Sequence, residues 1–191
     1  VDVDGSQLIA GTQKAGGRIA LTGEAINVDG DSELIATGRR GGGLIEVGGS
    51  WQNSDASVRQ AVTTQIENGA VLDASAIGNG EGGEIVVWSD ISNPESVTSV
   101  AGTLLAKGGR KGGDGGDIET SGFELDVSGI DIDTTASEGD QGLWLLDPFD
   151  YILGSSEATA IVTALVAGNN VSISTASSTN SVGSGSVAAL S

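Results

Sequence analysis

The chain has 191 residues, of which 26 are acidic and only eight are basic, so its formal net charge is −18 at pH 7. This excess of negative charge repels nucleic acids and anionic lipid surfaces, and it argues against either as a direct partner. The sequence has no cysteine and no histidine, which excludes disulfides, thiolate metal sites and the common catalytic triads. It also has no methionine, which indicates a mature or excised fragment, and it shows no apolar run of about 18 residues that would predict a membrane span.

Four stretches of the chain repeat one pattern. Each begins with a short apolar strand and an alanine, passes through a glycine-rich corner, and continues with Gly-Gly, a variable residue, isoleucine and a second strand. The four stretches are residues 8–23, 34–49, 72–89 and 104–122. The longer copies add residues only inside the corner. Strand repeats of this length without helices predict a solenoid.

Further runs of alternating apolar and polar residues lie between these stretches, at 25–30, 61–66 and 123–133. Such alternation is typical of half-buried strands. Two or three strands per repeat, joined by glycine corners, predict an all-β parallel β-helix of about five to seven coils. In this arrangement one isoleucine from each copy should stack inside the coil. These isoleucines are Ile19, Ile45, Ile85 and Ile118.

The corner after residue 106 is the richest in glycine, and we interpret it as structural. Glycine permits positive φ angles and close approach of neighbouring coils. A phosphate-binding loop is excluded because Lys111 is followed by glycine and no helix signal follows. The calcium-binding nonapeptide pattern fits residues 112–120 up to Asp117 but fails at Glu119. Calcium at Asp114 and Asp117 stays open as an alternative.

The repeat is interpreted as ending at 141–154, QGLWLLDPFDYILG, where Pro148 terminates an apolar strand. Asp147 and Asp150 flank this turn and are expected to bond the local backbone. A short α-helix is predicted over 155–170, capped by Ser155 or Ser156 and ended by Gly168. Its buried stripe is expected to contain Ala158, Ile161 and Leu165, with Val162 and Val166 beside it. Residues 170–175 then predict a strand, and 176–191 a Ser/Gly-rich loop or an unfinished coil.

The stretch GLWLLDPFDYIL, together with the glycine-rich coils before it, resembles the filamentous haemagglutinin-like exoproteins of two-partner secretion, which are large bacterial adhesins. The resemblance covers residues 8 to about 175. It implies a right-handed parallel β-helix, exported through an outer-membrane transporter and displayed on the cell surface or secreted. The family's N-P-N-G motif is missing, because Asn93-Pro94 is followed by Glu95. We therefore expect a shaft or passenger fragment, with coils over 1–153 and a helix, strand and tail over 154–191 that continue the solenoid.

The predicted function is that of a non-enzymatic extracellular rod that mediates or presents adhesion to cells, matrix or carbohydrate. We predict no catalytic, cofactor-binding or metal-binding residue, no nucleic-acid partner, and a capacity of rods to self-associate. A carbohydrate-active β-helix enzyme, a polysaccharide lyase or hydrolase, is the alternative, and it would need carboxylates that converge within about 5–10 Å. The carboxylate pairs considered for catalysis are Asp131 with Asp133 and Asp147 with Asp150. The corner lysines Lys14, Lys107 and Lys111 are expected to be exposed. The tryptophans considered for carbohydrate contact are Trp51, Trp88 and Trp144, although an apolar packing role is favoured for Trp144.

Overall fold

The computed structural model describes residues 1–12, 14–175 and 187–189, which form a parallel β-solenoid of about six turns. Three sheets run along its axis, and each full coil contributes one strand to each sheet. The strands of the first sheet are β1 (Asp2–Val3), β4 (Ala25–Val28), β7 (Thr63–Ile66), β10 (Val97–Val100) and β13 (Glu124–Asp126). The strands of the second are β2 (Gln7–Ile9), β5 (Glu33–Ile35), β8 (Val71–Asp73), β11 (Thr103–Leu105) and β14 (Asp131–Asp133).

The third sheet is the longest and follows the glycine corners. Its strands are β3 (Arg18–Leu21), β6 (Leu44–Val47), β9 (Glu84–Trp88), β12 (Asp117–Ser121), β15 (Leu143–Leu146) and β17 (Asn170–Ile173). Near the C-terminal end, β16 (Tyr151–Leu153) pairs in parallel with β18 (Val187–Ala189). The all-β parallel solenoid predicted from the repeat is confirmed. Except for β18, the predicted tail at 176–191 lies outside the described residues.

The predicted isoleucine ladder is also confirmed. Ile19, Ile45, Ile85 and Ile118 lie opposite one another in consecutive strands of the third sheet, and none is more than 6% exposed. Parallel strands stack at about 4.8 Å, so each side chain packs directly on the next one along the axis. Trp144 occupies the next position of the ladder, opposite Ile118. The apolar strand predicted before Pro148 is β15, and it adds a further in-register strand to the ladder.

The glycine corners allow close approach between coils. A Cβ atom at Gly42 would lie 1.8 Å from the carbonyl oxygen of Ala74 in the next coil, a distance that no side chain tolerates. Gly16, Gly82 and Gly115 occupy the same position in their coils and meet the next coil at 1.8–2.2 Å. Among the described residues of these corners, positive φ angles occur only at Gly112 and Gly113, with φ of 130° and 109°. The repeated corner thus selects glycine for its small size.

The helix α1 (Ser155–Val166) follows β16 and lies against β14, β16 and β17. Gly154 is its N-cap residue and no side chain caps it, so the predicted serine cap is wrong. The predicted apolar stripe is also wrong, because the buried residues are Ala160 and Ala164 while Leu165 is 51% exposed. Small alanines allow the helix axis to approach the sheet edge closely, which longer side chains would prevent. Ala158, Val162 and Val166 are exposed as well, and Ile161 is half-buried.

Asn169 attaches the end of the helix to the second sheet. Its side chain is buried and accepts hydrogen bonds from the N–H and hydroxyl of Thr134, at 2.6 and 3.0 Å. The same amide donates to the carbonyl oxygens of Ile132 and Ala164, at 3.1 and 2.8 Å. One side chain thus satisfies polar groups of β14 and of α1 where a further strand would otherwise pair. Among the described residues, no helix is long and apolar enough to cross a bilayer.

Candidate functional site

The basic residues of the chain are concentrated at one edge of the solenoid. We call this edge the corner stack, and it comprises residues 10–12, 14–17, 36–43, 74–83, 106–116 and 134–142, which join the second sheet to the third. It contains six of the eight basic residues, Lys14, Arg39, Arg40, Lys107, Arg110 and Lys111, and four of the 26 acids, Glu81, Asp114, Glu138 and Asp140. A chain with a net charge of −18 therefore has one edge with a local excess of positive charge.

Backbone hydrogen bonds between coils hold these basic residues in columns along the axis. The N–H of Arg40 donates to the carbonyl oxygen of Lys14 in the preceding coil, at 2.7 Å. Two coils further on, the N–H of Lys111 donates to the carbonyl oxygen of Gly78, at 2.9 Å. Gly78 belongs to the coil between those of Arg39 and Lys111, and two coil spacings separate these residues by about 10 Å along the axis.

Arg39, Arg110 and Lys111 line a depression of about 240 Å³ together with Ile77 and Gly78. All three cations are exposed, and none of them forms an ion pair with any residue in the described ranges. The Arg110 Nε–H donates to the carbonyl oxygen of Ile77 at 3.4 Å, which directs the guanidinium across the depression. The site is therefore a concave surface with three unneutralised cations.

A second depression of about 340 Å³ continues from the first, since both are lined by Ile77 and Arg110. It adds the side chains of Asp73, Ser75 and Thr135, which are hydrogen-bonding groups. Lys107 also lines it, and its Nζ lies 3.4 Å from Asp133 Oδ2, so this lysine is half-buried and paired. Lys14 and Lys111 are exposed, as the sequence predicted, but Lys107 departs from that expectation.

The carboxylates weighed for catalysis do not form an acid–base pair. Asp131 and Asp133 lie on one face of β14 on either side of buried Ile132, as predicted. Asp133 Oδ1, however, accepts hydrogen bonds from the N–H and hydroxyl of Thr135, at 3.0 and 2.6 Å. With Lys107 on its other oxygen, Asp133 is held in structural contacts.

The aspartates considered for calcium lie in one shallow cleft. Asp114 and Asp117 line it with Glu81 and Glu84 around a glycine floor, in a volume of about 420 Å³. Asp114 Oδ1 accepts the N–H of Asp140 at 2.9 Å, so one of its oxygens is engaged. Burial raises the pKa of Glu84 above its ordinary value, and the nearby Glu46 raises it further. In the part of the chain that the structure describes, no three carboxylates converge as metal ligands.

Two carboxyl groups are fully buried on the outer side of the third sheet. Glu119 Oε2 accepts the N–H of Gln52 at 2.8 Å and Oε1 accepts the hydroxyl of Ser121 at 3.1 Å. Burial raises the pKa of Glu119 to about 8, and the neighbouring Asp147 contributes to that rise. Burial also raises the pKa of Asp147, against the opposing effect of the Ser174 hydroxyl. Glu119 is 0% exposed, so no large substrate reaches it.

Asp147 does not bond the turn before Asp150 in the expected way. Asp147 is 1% exposed and neither carboxylate oxygen makes a hydrogen bond of ordinary geometry in the described structure, whereas Asp150 is exposed. The expected bonds from Asp147 to the local backbone are therefore wrong. Tertiary packing places this carboxylate beneath the surface instead of at the turn.

Residues 48–61 lie over Glu119, to which the Gln52 N–H donates, and we call them the covering segment. It is closed by a hydrogen bond from the Ala61 N–H to the Gly48 carbonyl oxygen, at 2.8 Å. Its Trp51 packs against Val86 and Trp88, which face outward from β9. Sequence reasoning missed this cover, although the unbroken apolar run Ile85–Trp88 contained the signal. A strand that is apolar on both faces is buried on both faces.

The tryptophans considered for carbohydrate contact are mostly interior. Trp88 and Trp144 are fully buried, and their indole N–H groups donate to Gln60 Oε1 at 2.9 Å and Thr120 Oγ1 at 3.1 Å. Neither presents a ring face to a sugar, so carbohydrate contact is wrong for Trp88, while the apolar packing role favoured for Trp144 is confirmed. Trp51 is half-buried and serves as the apolar contact of the covering segment.

One solved structure that resembles the chain is the crystal structure of the HMW1 secretion domain from Haemophilus influenzae. The two are 26% identical and superpose with a TM-score of 0.58 over 74% of this chain. The match covers 35% of the HMW1 structure, so it concerns about a third of that domain. No protein-family model matches the chain, and no curated protein does either.

Proposed function

We propose that the chain is a non-enzymatic, extracellular rod module of a large secreted bacterial surface protein, and that it mediates or presents adhesion. The observation that carries the proposal is the in-register parallel ladder of the third sheet, combined with the likeness to a secretion domain. A continuous ladder makes a rod that further coils can lengthen, because each coil contacts only its neighbours along the axis. The likeness supports export from the cell, which agrees with a chain free of cysteine.

Two-partner secretion is the proposed route, with an outer-membrane transporter as the partner of the full-length protein. The WLLDP stretch at 144–148 and the glycine coils support this route. The placement in the shaft, outside the segment that engages the transporter, is part of the proposal. A production strain with a two-partner transporter provides the test. The chain alone should stay inside the cell and should be exported when fused behind a secretion domain, whereas export of the chain alone would contradict the shaft placement.

The arrangement of carboxylates supports a non-enzymatic role. Glu119, whose pKa burial raises to about 8, lies under the covering segment, and the two depressions that Arg110 lines hold mainly cations and hydroxyl groups. The acidic residues of the shallow cleft, Glu81, Glu84, Asp114 and Asp117, surround a glycine floor with no cation to hold an anionic sugar. A polysaccharide hydrolase or lyase needs its acid and base on either side of an accessible bond.

Adhesion is tested with beads that carry the purified chain through a C-terminal tag. These beads should adhere to cells, matrix or immobilised glycans more than beads that carry the same chain after irreversible denaturation. An absence of adhesion, together with release of reducing or unsaturated sugars from polysaccharides, would overturn the proposal in favour of an enzyme.

A further inference from the structure

We propose that the pocket formed by Arg39, Arg110 and Lys111 binds the anionic groups of a linear extracellular polysaccharide that lies along the corner stack. The inference deepens the adhesive function proposed above, because it names the ligand class and the site. It rests on that function only in placing the polysaccharide outside the cell. The shared chemistry is a sugar polymer with a carboxylate, sulfate or phosphate on its repeating unit.

The charges of the pocket carry the first step. The three cations remain without an ion pair within the described residues, although the chain has 26 acids. The two basic residues outside the corner stack are both paired, Arg18 with Glu46 at 2.6 Å and Arg59 with Glu24 at 3.3 Å. A planar guanidinium binds carboxylate, sulfate or phosphate through two parallel hydrogen bonds, and an ammonium adds a compact positive charge. Two guanidinium groups and one ammonium around one depression therefore suit an external anion.

The shape of the pocket carries the second step. Gly78 lines the pocket between the coils of the cations, and a Cβ atom there would lie 2.5 Å from the Arg39 carbonyl oxygen, so the lack of a side chain lets this coil pack closely against that of Arg39. Ile77 is 44% exposed at this floor and offers an apolar contact to a sugar ring. The adjoining depression supplies Asp73, Ser75 and Thr135, whose oxygens can bond sugar hydroxyls. Oxygen acceptors beside an exposed apolar side chain suit the many hydroxyl groups and the apolar ring face of a saccharide, so a saccharide is the favoured ligand.

The axial arrangement carries the third step, from a single anion to a polymer. Lys14 and Arg40 lie in adjacent coils and are joined through the backbone, and Arg110 and Lys111 lie two coils beyond Arg40. Cations thus extend over four coils, about 15 Å along the axis. The remaining surface is predominantly acidic, so a polyanion is attracted along the corner stack and repelled elsewhere. Binding should therefore weaken steeply as salt increases.

The experiment measures binding of the purified chain to four polymers by calorimetry at low and high salt. The probes are heparin fragments, polygalacturonate, phosphomannan and neutral dextran, which separate sulfate, carboxylate and phosphate from uncharged sugar. We expect salt-sensitive binding to at least one anionic polymer and none to dextran. Failure of all three anionic polymers to bind would overturn the proposal.

Charge-matched variants locate the site. Arg110→Gln should weaken binding about tenfold or more, and Lys14→Gln, at the end of the stack, should weaken it less. Arg59→Gln makes the same change in net charge outside the stack and should alter binding less than about twofold. Equal weakening by Arg110→Gln and Arg59→Gln would overturn the proposal, because it would show attraction by net charge alone.

Two further measurements separate this proposal from binding of an acidic protein surface and from the adhesive function in general. Salt-dependent association of two copies that Arg110→Gln removes, without polymer binding, would overturn the saccharide assignment in favour of an acidic protein surface. The triple variant Arg39→Gln, Arg110→Gln, Lys111→Gln on beads distinguishes the pocket from the adhesive function. If beads with this variant adhere as strongly as beads with the parent chain, the pocket is contradicted and the adhesive rod is not. If the parent chain binds an anionic polymer but its beads adhere to no surface, the pocket is supported and the adhesive function is contradicted.

Discussion

The outer face of the third sheet and the corner stack are built on the same coils but have opposite environments. On the third sheet, the covering segment seals Glu119 from water, and burial raises the pKa of this carboxyl group to about 8. In the corner stack, Arg39 and Lys111 are exposed and no chain segment covers them in the described structure. The repeat therefore determines where the backbone runs, while the insertions between repeats determine which surface is available to a ligand. The predictions below test this division, from the largest effect to the smallest.

The largest effect is expected from closing the gap between coils. Gly42→Ala places a Cβ atom 1.8 Å from the Ala74 carbonyl oxygen, and both groups belong to the backbone, so neither can rotate away. We expect a loss of about 3 kcal/mol or more in the free energy of unfolding, measured with denaturant. The neighbouring Gly41→Ala is the control, since its Cβ atom would have its nearest contact at 3.9 Å. Equal effects of both substitutions would contradict the close approach.

The buried carboxyl group makes stability depend on pH. Folding raises the pKa of Glu119 from 4.5 to about 8, so between these values the folded chain binds a proton that the unfolded chain releases. Stability should fall as the pH rises through this window. Glu119→Gln keeps an acceptor for Gln52 and should raise the free energy of unfolding at pH 8 by roughly 2–4 kcal/mol, with little change at pH 4.5.

The control for this prediction is Glu124→Gln, an exposed glutamate on β13. It should leave the slope of stability against pH unchanged. If the free energy of unfolding depended on pH equally in the parent chain and in Glu119→Gln, the outer face of the third sheet would be open to water. The contrast with the corner stack would then be lost.

The attachment of the helix is tested by Asn169→Ala. This substitution removes a buried amide that makes four hydrogen bonds and leaves groups of Thr134 and Ile132 without partners. A loss of about 2–3 kcal/mol is expected, with faster amide exchange in α1. Asn170→Ala, which removes one exposed bond to the Gln141 carbonyl oxygen, should change stability by less than about 1 kcal/mol. A smaller effect at 169 than at 170 would contradict the role of Asn169.

The smallest effect is expected from opening the covering segment. Trp51→Ala removes the half-buried ring that packs on Val86 and Trp88, and a loss of roughly 1–2 kcal/mol is expected. Water that reaches Glu119 should lower its pKa towards the ordinary value, so the dependence of stability on pH should flatten. Phe149→Ala, which removes a stacked ring pair with Phe123 elsewhere on the surface, should leave this pH dependence unchanged. A pH dependence that stays steep in Trp51→Ala would contradict the role of Trp51 as the cover.

Much of the fold could be predicted because the same pattern of strand, glycine corner and strand occurs four times in the sequence. The four Gly-Gly-x-Ile segments specified the parallel ladder of Ile19, Ile45, Ile85 and Ile118. Within each aligned copy, the length varies only in the corner. The site was less predictable. The grouping of cations in the corners was present in the sequence, but overall charge obscured it, because the total of −18 says nothing about where the few positive charges lie.

The sequence by itself determined the parallel coils, the small residues between them and the strand that follows each corner, because these depend on period and on residue size. Only the tertiary structure decided that the covering segment folds back over Glu119 and that α1 turns Ala160 and Ala164 inward. It also decided that Arg39 and Lys111 line one depression on either side of Gly78. These contacts join residues that are far apart along the chain or that belong to different coils. Their free energy depends on burial and on mutual distance, which the local pattern of residues does not contain.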